Sequence, residues 1–250
     1  MNPLTGKVVL ITGAGAGIGR AAALQFTGAG ATVVGTGRRA EPLKALGDGL
    51  KNFDFVLADA ANPDDASRTI AAVIERYGRL DVLVNNAGAG AILPVEGATY
   101  EAITRIFAVN VFGPSLLVTA AVPHLTVSGG SIVNLSSTFG HKAAPALSHY
   151  AASKAALEHM TRCWALELAG RGIRVNAVAA GPTETDFLRE RMGLSEEEAE
   201  SVKAQERSRI PLGRRGLPEE VANWIVMLAS DAGRWVTGQV LTVDGGLCIT

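Results

Sequence analysis

Tyr150 and Lys154 stand four residues apart in the run His149-Tyr150-Ala151-Ala152-Ser153-Lys154. On a helix, that spacing puts both side chains on one face, about one turn apart. A phenol ordinarily ionises near about pH 10. A neighbouring ammonium stabilises the phenolate and lowers that value, so the phenol can give or take a proton nearer neutrality. The alternative is a helix that carries one aromatic and one solvated lysine. A second chemical pattern lies near the N-terminus, in Thr12-Gly13-Ala14-Gly15-Ala16-Gly17-Ile18-Gly19-Arg20. Glycines let a backbone approach a diphosphate, and a helix that starts there supplies free N–H groups and the positive end of its dipole. The alternative is a tight strand-to-helix turn with no ligand.

The flanking elements decide whether these patterns can meet. Lys7-Val8-Val9-Leu10-Ile11 runs straight into the glycine turn, and Arg20 to Phe26 follows as a helix. Short β-branched apolar runs suit strands buried on both faces of a parallel sheet. Further strands are expected at 31–36, 53–58, 80–84, 131–135, 172–178 and 239–243, and helices at 41–50, 63–77, 100–124 and 218–229. Pro63 suits a first helical turn, with Asn62 as its cap. Regular alternation of strand and helix predicts an α/β fold, a Rossmann-type doubly wound parallel sheet of about seven strands with helices on both faces. Residues 1–250 read as a single dinucleotide-binding and catalytic domain. Segment 186–215 is strongly charged, and Ser195-Glu196-Glu197-Glu198 reads as a capped helix start. It is expected to form a substrate lid; the alternative is a solvated surface helix.

Ligands of such sheets bind beyond the carboxyl ends of the strands. The glycine loop, Arg38, Asp59 and Asn85-Asn86 all fall there. An acid at the end of the second strand would hold a ribose 2′-OH, whereas arginine accommodates a 2′-phosphate. The residues here are Gly37, Arg38 and Arg39. Arginine's planar fork matches a phosphate, so NADP(H) is expected over NAD(H), which remains possible. The alternative is two solvated arginines. Asn110 lies in the apolar stretch Ile106 to Phe112, where a buried amide must find hydrogen-bond partners. Its role is either structural satisfaction or a place in a proton relay.

Composition bounds the function. Hydrophobic residues make up 48% and charged residues 19%, enough to fill a core, and the net charge of -1 gives no reason to expect nucleic acid or an anionic membrane as partner. No uninterrupted apolar run is long enough for a bilayer, and Met1 to Lys7 lacks a basic-then-apolar leader pattern, so the expected location is cytoplasmic. Cys163 and Cys248 read as reduced, buried side chains, and the four histidines lack ligand spacing, so no metal is expected.

Taken together, the chain resembles the short-chain dehydrogenase/reductase family in its common form of about this length. The resemblance rests on Thr12-Gly13 with Gly17-Ile18-Gly19, Asn85-Asn86-Ala87-Gly88, Asn110, Ser137, Tyr150 with Lys154, and Val243-Asp244-Gly245-Gly246. It implies a catalytic set of Asn110, Ser137, Tyr150 and Lys154. The tyrosine would transfer the proton, and the lysine would lower its pKa and bind the nicotinamide ribose. The serine would hold the substrate oxygen, and the asparagine would position a relay water. Ser136 competes with Ser137; the family spacing selects Ser137, and neighbours on a strand face opposite ways. Cofactor contacts are expected at Thr12, Gly13, Gly17, Ile18, Gly19, Arg38, Asp59, Asn86, Gly88, Tyr150, Lys154 and Thr185.

The implied activity is hydride transfer between a nicotinamide and a small ketone or secondary alcohol. A catalytically silent dinucleotide-binding regulator is the alternative, and a dehydratase or epimerase a third. The pocket is expected to draw on 89–95, 138–148 and the lid, with Phe139, Leu147, Ile92, Leu93, Phe187 and Leu188 making it apolar, and with His141 and Lys142 facing solvent. Members acting on carrier-protein substrates tend to carry basic residues before the fifth strand; Leu125 to Gly130 has none, which favours a free substrate. Ala180 stands where many members have proline. The helices around Asn110 and Tyr150 have apolar residues to spare, which together with the resemblance points to a homotetramer.

Overall fold

The computed structural model describes Leu4 to Thr250; Met1, Asn2 and Pro3, which head the N-terminal stretch read above, lie outside the described residues. Seven strands form one sheet: β1 Val8–Thr12, β2 Thr32–Gly37, β3 Phe53–Leu57, β4 Val82–Asn85, β5 Ser131–Ser137, β6 Arg174–Ala180 and β7 Val240–Val243. Their order is β3-β2-β1-β4-β5-β6-β7, and every pairing is parallel. The order reverses between β1 and β4, which is where a doubly wound sheet opens its crevice.

The helices are α1 Gly17–Gly28, α2 Ala40–Gly47, α3 Pro63–Tyr77, α4 Tyr100–Phe107, α5 Gly113–Ser128, α6 Ser148–Ala169, α7 Phe187–Glu190, α8 Glu196–Arg209 and α9 Pro218–Ala229. Successive strand side chains point to opposite faces, and β1 divides accordingly. Val9 and Ile11 pack with Phe26 of α1 and with Val221 and Ile225 of α9. Val8 and Leu10 join Ile70 and Val73 of α3, Leu117 of α5 and Leu168 of α6 on the other face. Both faces are thus covered, which is why the strands read as unbroken apolar runs.

Asn62 caps α3, its side chain accepting from the Asp64 amide at 3.1 Å, and Gly78 closes that helix at φ 69°. Ser195 and Glu198 form the expected capping box at α8. The N-terminus of α1 is different: no side chain caps it and its first turn carries no acid.

The stretch expected as one helix over 100–124 is interrupted. Residues Ala108–Phe112 form a π-turn between α4 and α5, closed by the Gly113 amide on the Ala108 carbonyl. Gly113 lies against the Ala60 backbone so closely that a Cβ would collide with the Ala60 carbonyl oxygen. The whole rod, 29 residues from Tyr100 to Ser128, has the length and composition to cross a bilayer, but it packs here against α3, α6 and β4. Strand ends also moved: β5 and β6 run on to Ser137 and Ala180, because those two residues pair with each other. Both cysteines are free as expected, but Cys163 is exposed, on the outward side of α6.

A Gly→Ala change inside a helix ordinarily gains up to about 1 kcal/mol. Gly113→Ala should reverse that sign and lower the unfolding free energy by about 1–3 kcal/mol, read from the urea midpoint at unchanged slope.

Candidate active site

The crevice begins where β1 and β4 end. Thr12 Oγ1 accepts from the Asn86 and Ala87 amides at 3.0 and 2.9 Å, and Asn86 Nδ2 donates to the Thr12 and Gly13 carbonyls at 2.8 and 3.2 Å. Thr12 and Asn86, both expected to touch cofactor, therefore clamp two loops together. Gly13 turns at φ 69°, and a Cβ on Gly19 would strike both the Gly13 carbonyl oxygen and Asn86 Nδ2. Only glycine permits this approach. Ile18 is half-buried and anchors the start of α1 to the core.

The result is a concave backbone cradle at an uncapped helix N-terminus, which suits a diphosphate. Beyond β2 and β3, Arg38 and Asp59 form an exposed ion pair 3.9 Å apart. The residues thus fit a dinucleotide. Arg39, while still largely exposed, makes a bidentate pair with Glu190 of α7 at 3.2 Å for both bonds. Among the described residues, no group of three or more His, Cys, Asp or Glu could hold a metal ion.

Tyr150, Ser137, Lys154 and Asn110 come together beside this cradle. Tyr150 and Lys154 are buried on α6, one turn apart. Ser137 ends β5 and bonds to Tyr150, while Ser136 faces away and donates to Glu158 at 2.8 Å. Strand alternation thus separates the two serines as expected. Asn110 is held in the π-turn: its Nδ2 donates to the Ala89 carbonyl at 2.8 Å and to Ser153 Oγ at 2.9 Å, and its Oδ1 accepts from the Ala89 amide at 2.8 Å. A Cβ on Gly88 would lie 3.8 Å from both Asn110 Oδ1 and Lys154 Nζ, which places this residue between the two side chains.

The expected lowering of the tyrosine pKa by lysine is not what this arrangement produces. Burial raises Tyr150, and the Ser137 hydroxyl offsets part of that rise. Lys154 Nζ is directed to the Leu135 carbonyl at 2.8 Å and lies 6.0 Å from the Tyr150 ring centre. Burial also lowers Lys154 to about 8, against an opposing pull from Glu158. Desolvation dominates both groups because neither touches bulk water.

Residues from the charged segment close over this layer. Phe187 stacks obliquely on Tyr150 with ring centres 6.2 Å apart, and Phe187 and Met192 crowd Gly90. Thr185 abuts Gly17. The loops at 89–95 and 138–148 meet where the Leu93 amide donates to the Ala146 carbonyl at 2.7 Å. Ile92 is more exposed than an apolar pocket wall requires. His141 stays exposed, as expected, while its Nδ1 lies 3.3 Å from Glu158 Oε1 and its Nε2 3.3 Å from Thr242 Oγ1. Lys142 reaches the Thr250 carbonyl. Arg215, at the end of the charged segment, is buried between Glu184, Glu206 and the Thr183 carbonyl. The sequence reading passed over Ser153, Glu158 and Glu190. For Glu158 the signal was present: an acid one helical turn after Lys154, in an otherwise apolar run.

The family model described as enoyl-(acyl carrier protein) reductase matches residues 13–248. The chain is 42% identical over 254 residues to a 3-oxoacyl-(acyl-carrier-protein) reductase of Thermotoga maritima, covering 98% of this chain and 99% of that one. It is 34% identical over 259 residues to a tetrahydroxynaphthalene reductase of Pyricularia oryzae, covering 98% and 91%. A crystal structure of a Caenorhabditis elegans short-chain dehydrogenase/reductase of unknown function, with cofactor, superposes with a TM-score of 0.91 at 34% identity, covering 99% and 97%.

The lowered lysine has a sign that can be measured. Below about pH 8 the folded chain carries a buried ammonium; between there and about pH 10.5 the folded lysine is neutral while the unfolded one is still charged. Folding then favours higher pH. Relative to Lys154→Met, the parent should gain about 2 kcal/mol of stability between about pH 7 and about pH 9.5, measured by urea unfolding without cofactor. A flat difference would show that Lys154 titrates normally.

Proposed function

The chain belongs to the short-chain dehydrogenase/reductase family and is an NAD(P)-dependent oxidoreductase, and we propose that it interconverts a small ketone and a secondary alcohol, with Tyr150 as acid/base and NADP(H) preferred over NAD(H). The observation that carries this is the pairing of Tyr150 with Ser137 and of Lys154 with Asn110 beside Gly88, next to a glycine cradle that fits a diphosphate.

In the reduction, the Tyr150 hydroxyl donates its proton to the carbonyl oxygen. Its raised pKa suits that direction, because the phenol stays protonated through neutral pH. Ser137 donates a hydrogen bond to the same oxygen and so stabilises the charge that develops there. Lys154 is the cation of the site and supplies donors to ribose hydroxyls. A bound nicotinamide supplies the hydride. The Asn110 amide is committed to Ala89 and Ser153, so its part is to fix the loop after β4. A relay water would be held by main-chain carbonyls that the π-turn leaves outside the regular ladder. The diphosphate would lie over Gly13, Gly17, Ile18 and Gly19, the adenosine near Asp59, Asn86 and Arg38, and the carboxamide near Thr185.

Residues 186–215 act as the lid, with Phe187 and Met192 excluding water from Tyr150 and the Arg39–Glu190 pair holding the outer edge. A carrier-bound 3-oxoacyl thioester is a second reading, favoured by the name of the Thermotoga relative. It ranks lower because Leu125 to Gly130 offers no cation to an acidic carrier. Exposed apolar side chains, Phe112 and Leu116 on the π-turn and α5, Trp224 and Met227 on α9, and the almost fully exposed Trp235, favour burial against further copies in a cytoplasmic homotetramer.

With NADPH and a panel of small ketones, Tyr150→Phe should lose about a thousandfold or more in kcat while keeping its NADPH Kd. Undiminished turnover would sink the mechanism, and a parent that binds cofactor but turns over no ketone would favour the silent regulator. For cofactor choice, Arg38→Asp should weaken NADPH binding by about tenfold and leave NADH nearly unchanged, by fluorescence titration. Equal affinities in the parent would show that Arg38 only faces solvent.

A further inference from the structure

Among the described residues, four charged side chains are buried: Asp81, Lys154, Glu158 and Arg215. A buried charge persists only with a partner. Asp81 has Arg79 at 2.7 Å and Lys7 at 3.2 Å, and Arg215 has Glu184 and Glu206. That leaves Lys154 and Glu158, one turn apart on α6.

We infer that Glu158 is a positioning residue for the proposed reaction: a buried counter-charge, fixed by Ser136 and His141, that keeps Lys154 cationic in the active site. This rests on the reading of Tyr150 and Lys154 given above. The carboxylate is held from three sides. Ser136 Oγ donates to Oε1 at 2.8 Å from β5, and His141 Nδ1 approaches the same oxygen at 3.3 Å from the pocket loop. A Cβ on Gly140 would collide with that oxygen, so the loop lies flat against it. His141 is in turn steadied by Thr242 of β7.

No other charge competes. β5 and the π-turn contribute no ionisable side chain, and on β6 only Arg174 is charged, bound to carbonyls at the end of α9. Glu101 and Arg105 of α4, like His159 and Arg162 of α6 itself, are exposed. Asp244, after β7, is taken up by Thr138 and by the Gly246 and Cys248 amides. Tyr150 is the other titratable group beside Lys154, and burial keeps it protonated. Apart from the Leu135 carbonyl that accepts from Nζ, Glu158 is the one group that opposes desolvation of the ammonium among the described residues, and it is the one that does so with a charge.

The test is Glu158→Gln, which keeps the shape and an acceptor for Ser136 while removing the charge. In the chain without cofactor, the Lys154-linked rise of stability with pH, taken relative to the matching Lys154→Met background, should begin about one pH unit lower than in the parent. The alkaline limb of ketone reduction should move down by a similar amount, with kcat near the parent value on its acid side. Within Lys154→Met, Glu158→Gln should leave the pH dependence unchanged. Gly140→Ala, which displaces the carboxylate without removing it, is the second variant should Glu158→Gln fold poorly, and it should move the onset in the same direction. An unmoved onset in both variants overturns the assignment. Because the onset is read without turnover, it stands or falls separately from the activity of Tyr150→Phe.

Discussion

The clamp between Thr12 and Asn86 is the constraint on which the site depends. A parallel sheet whose order reverses between β1 and β4 would splay its two loops apart at that point. Four hydrogen bonds between the Thr12–Gly13 corner and residues 86–87 hold them together. The bonds need the start of α1 to come almost onto the loop after β4, and Gly13 and Gly19 are the residues that allow it. Once the loops are joined, the α1 N-terminus points across the crevice, and Gly88 and Ala89 are delivered to Asn110. Asn110 then passes the constraint to Ser153, one residue before Lys154. The diphosphate cradle and the Tyr150 layer are two ends of one chain of contacts.

That chain also explains why the site is dry and polar together. Behind the Tyr150 layer, Asn85, Asn134 and Thr161 bond in sequence at 2.8 Å each, entirely buried. Asn85 Oδ1 is left without a partner, but the bonds that are made fix the positions of the elements that carry them. They tie β4 to β5 and β5 to α6. The helix that bears Tyr150 and Lys154 is therefore located by hydrogen bonds as well as by apolar packing.

Periodicity revealed the sheet because every strand is covered on both faces, and an unbroken apolar run between glycine turns admits few other readings. The ends of α3 and α9 were legible for a local reason, a proline at the first turn and, for α3, a capping side chain and a left-handed glycine. The π-turn was not legible, since it depends on Gly113 meeting Ala60 and on Asn110 meeting Ala89, contacts that no local pattern encodes. The burial of Arg215 was not legible because its acidic partners, Glu184 and Glu206, lie elsewhere in the chain, and the same holds for the contact of the exposed His141 with Glu158. The tyrosine–lysine spacing did encode proximity, but the balance between ammonium and desolvation depends on burial, which a four-residue motif does not contain.

The segment carrying α7 and α8 leaves and rejoins the body at one point. Thr183 and Gly216 pair as a parallel bridge, and Arg215 fastens the same junction to Glu184. Everything between is a loop with a closed neck. Loop-closure entropy grows only as the logarithm of length, so lengthening such a loop costs a few tenths of a kcal/mol, roughly, while the neck stays shut. Insertions and deletions can accumulate there without disturbing the sheet, the clamp or the Tyr150 layer. In this architecture the segment that covers Tyr150 is the part most free to diverge, so the layer beneath can be kept while its cover is rewritten.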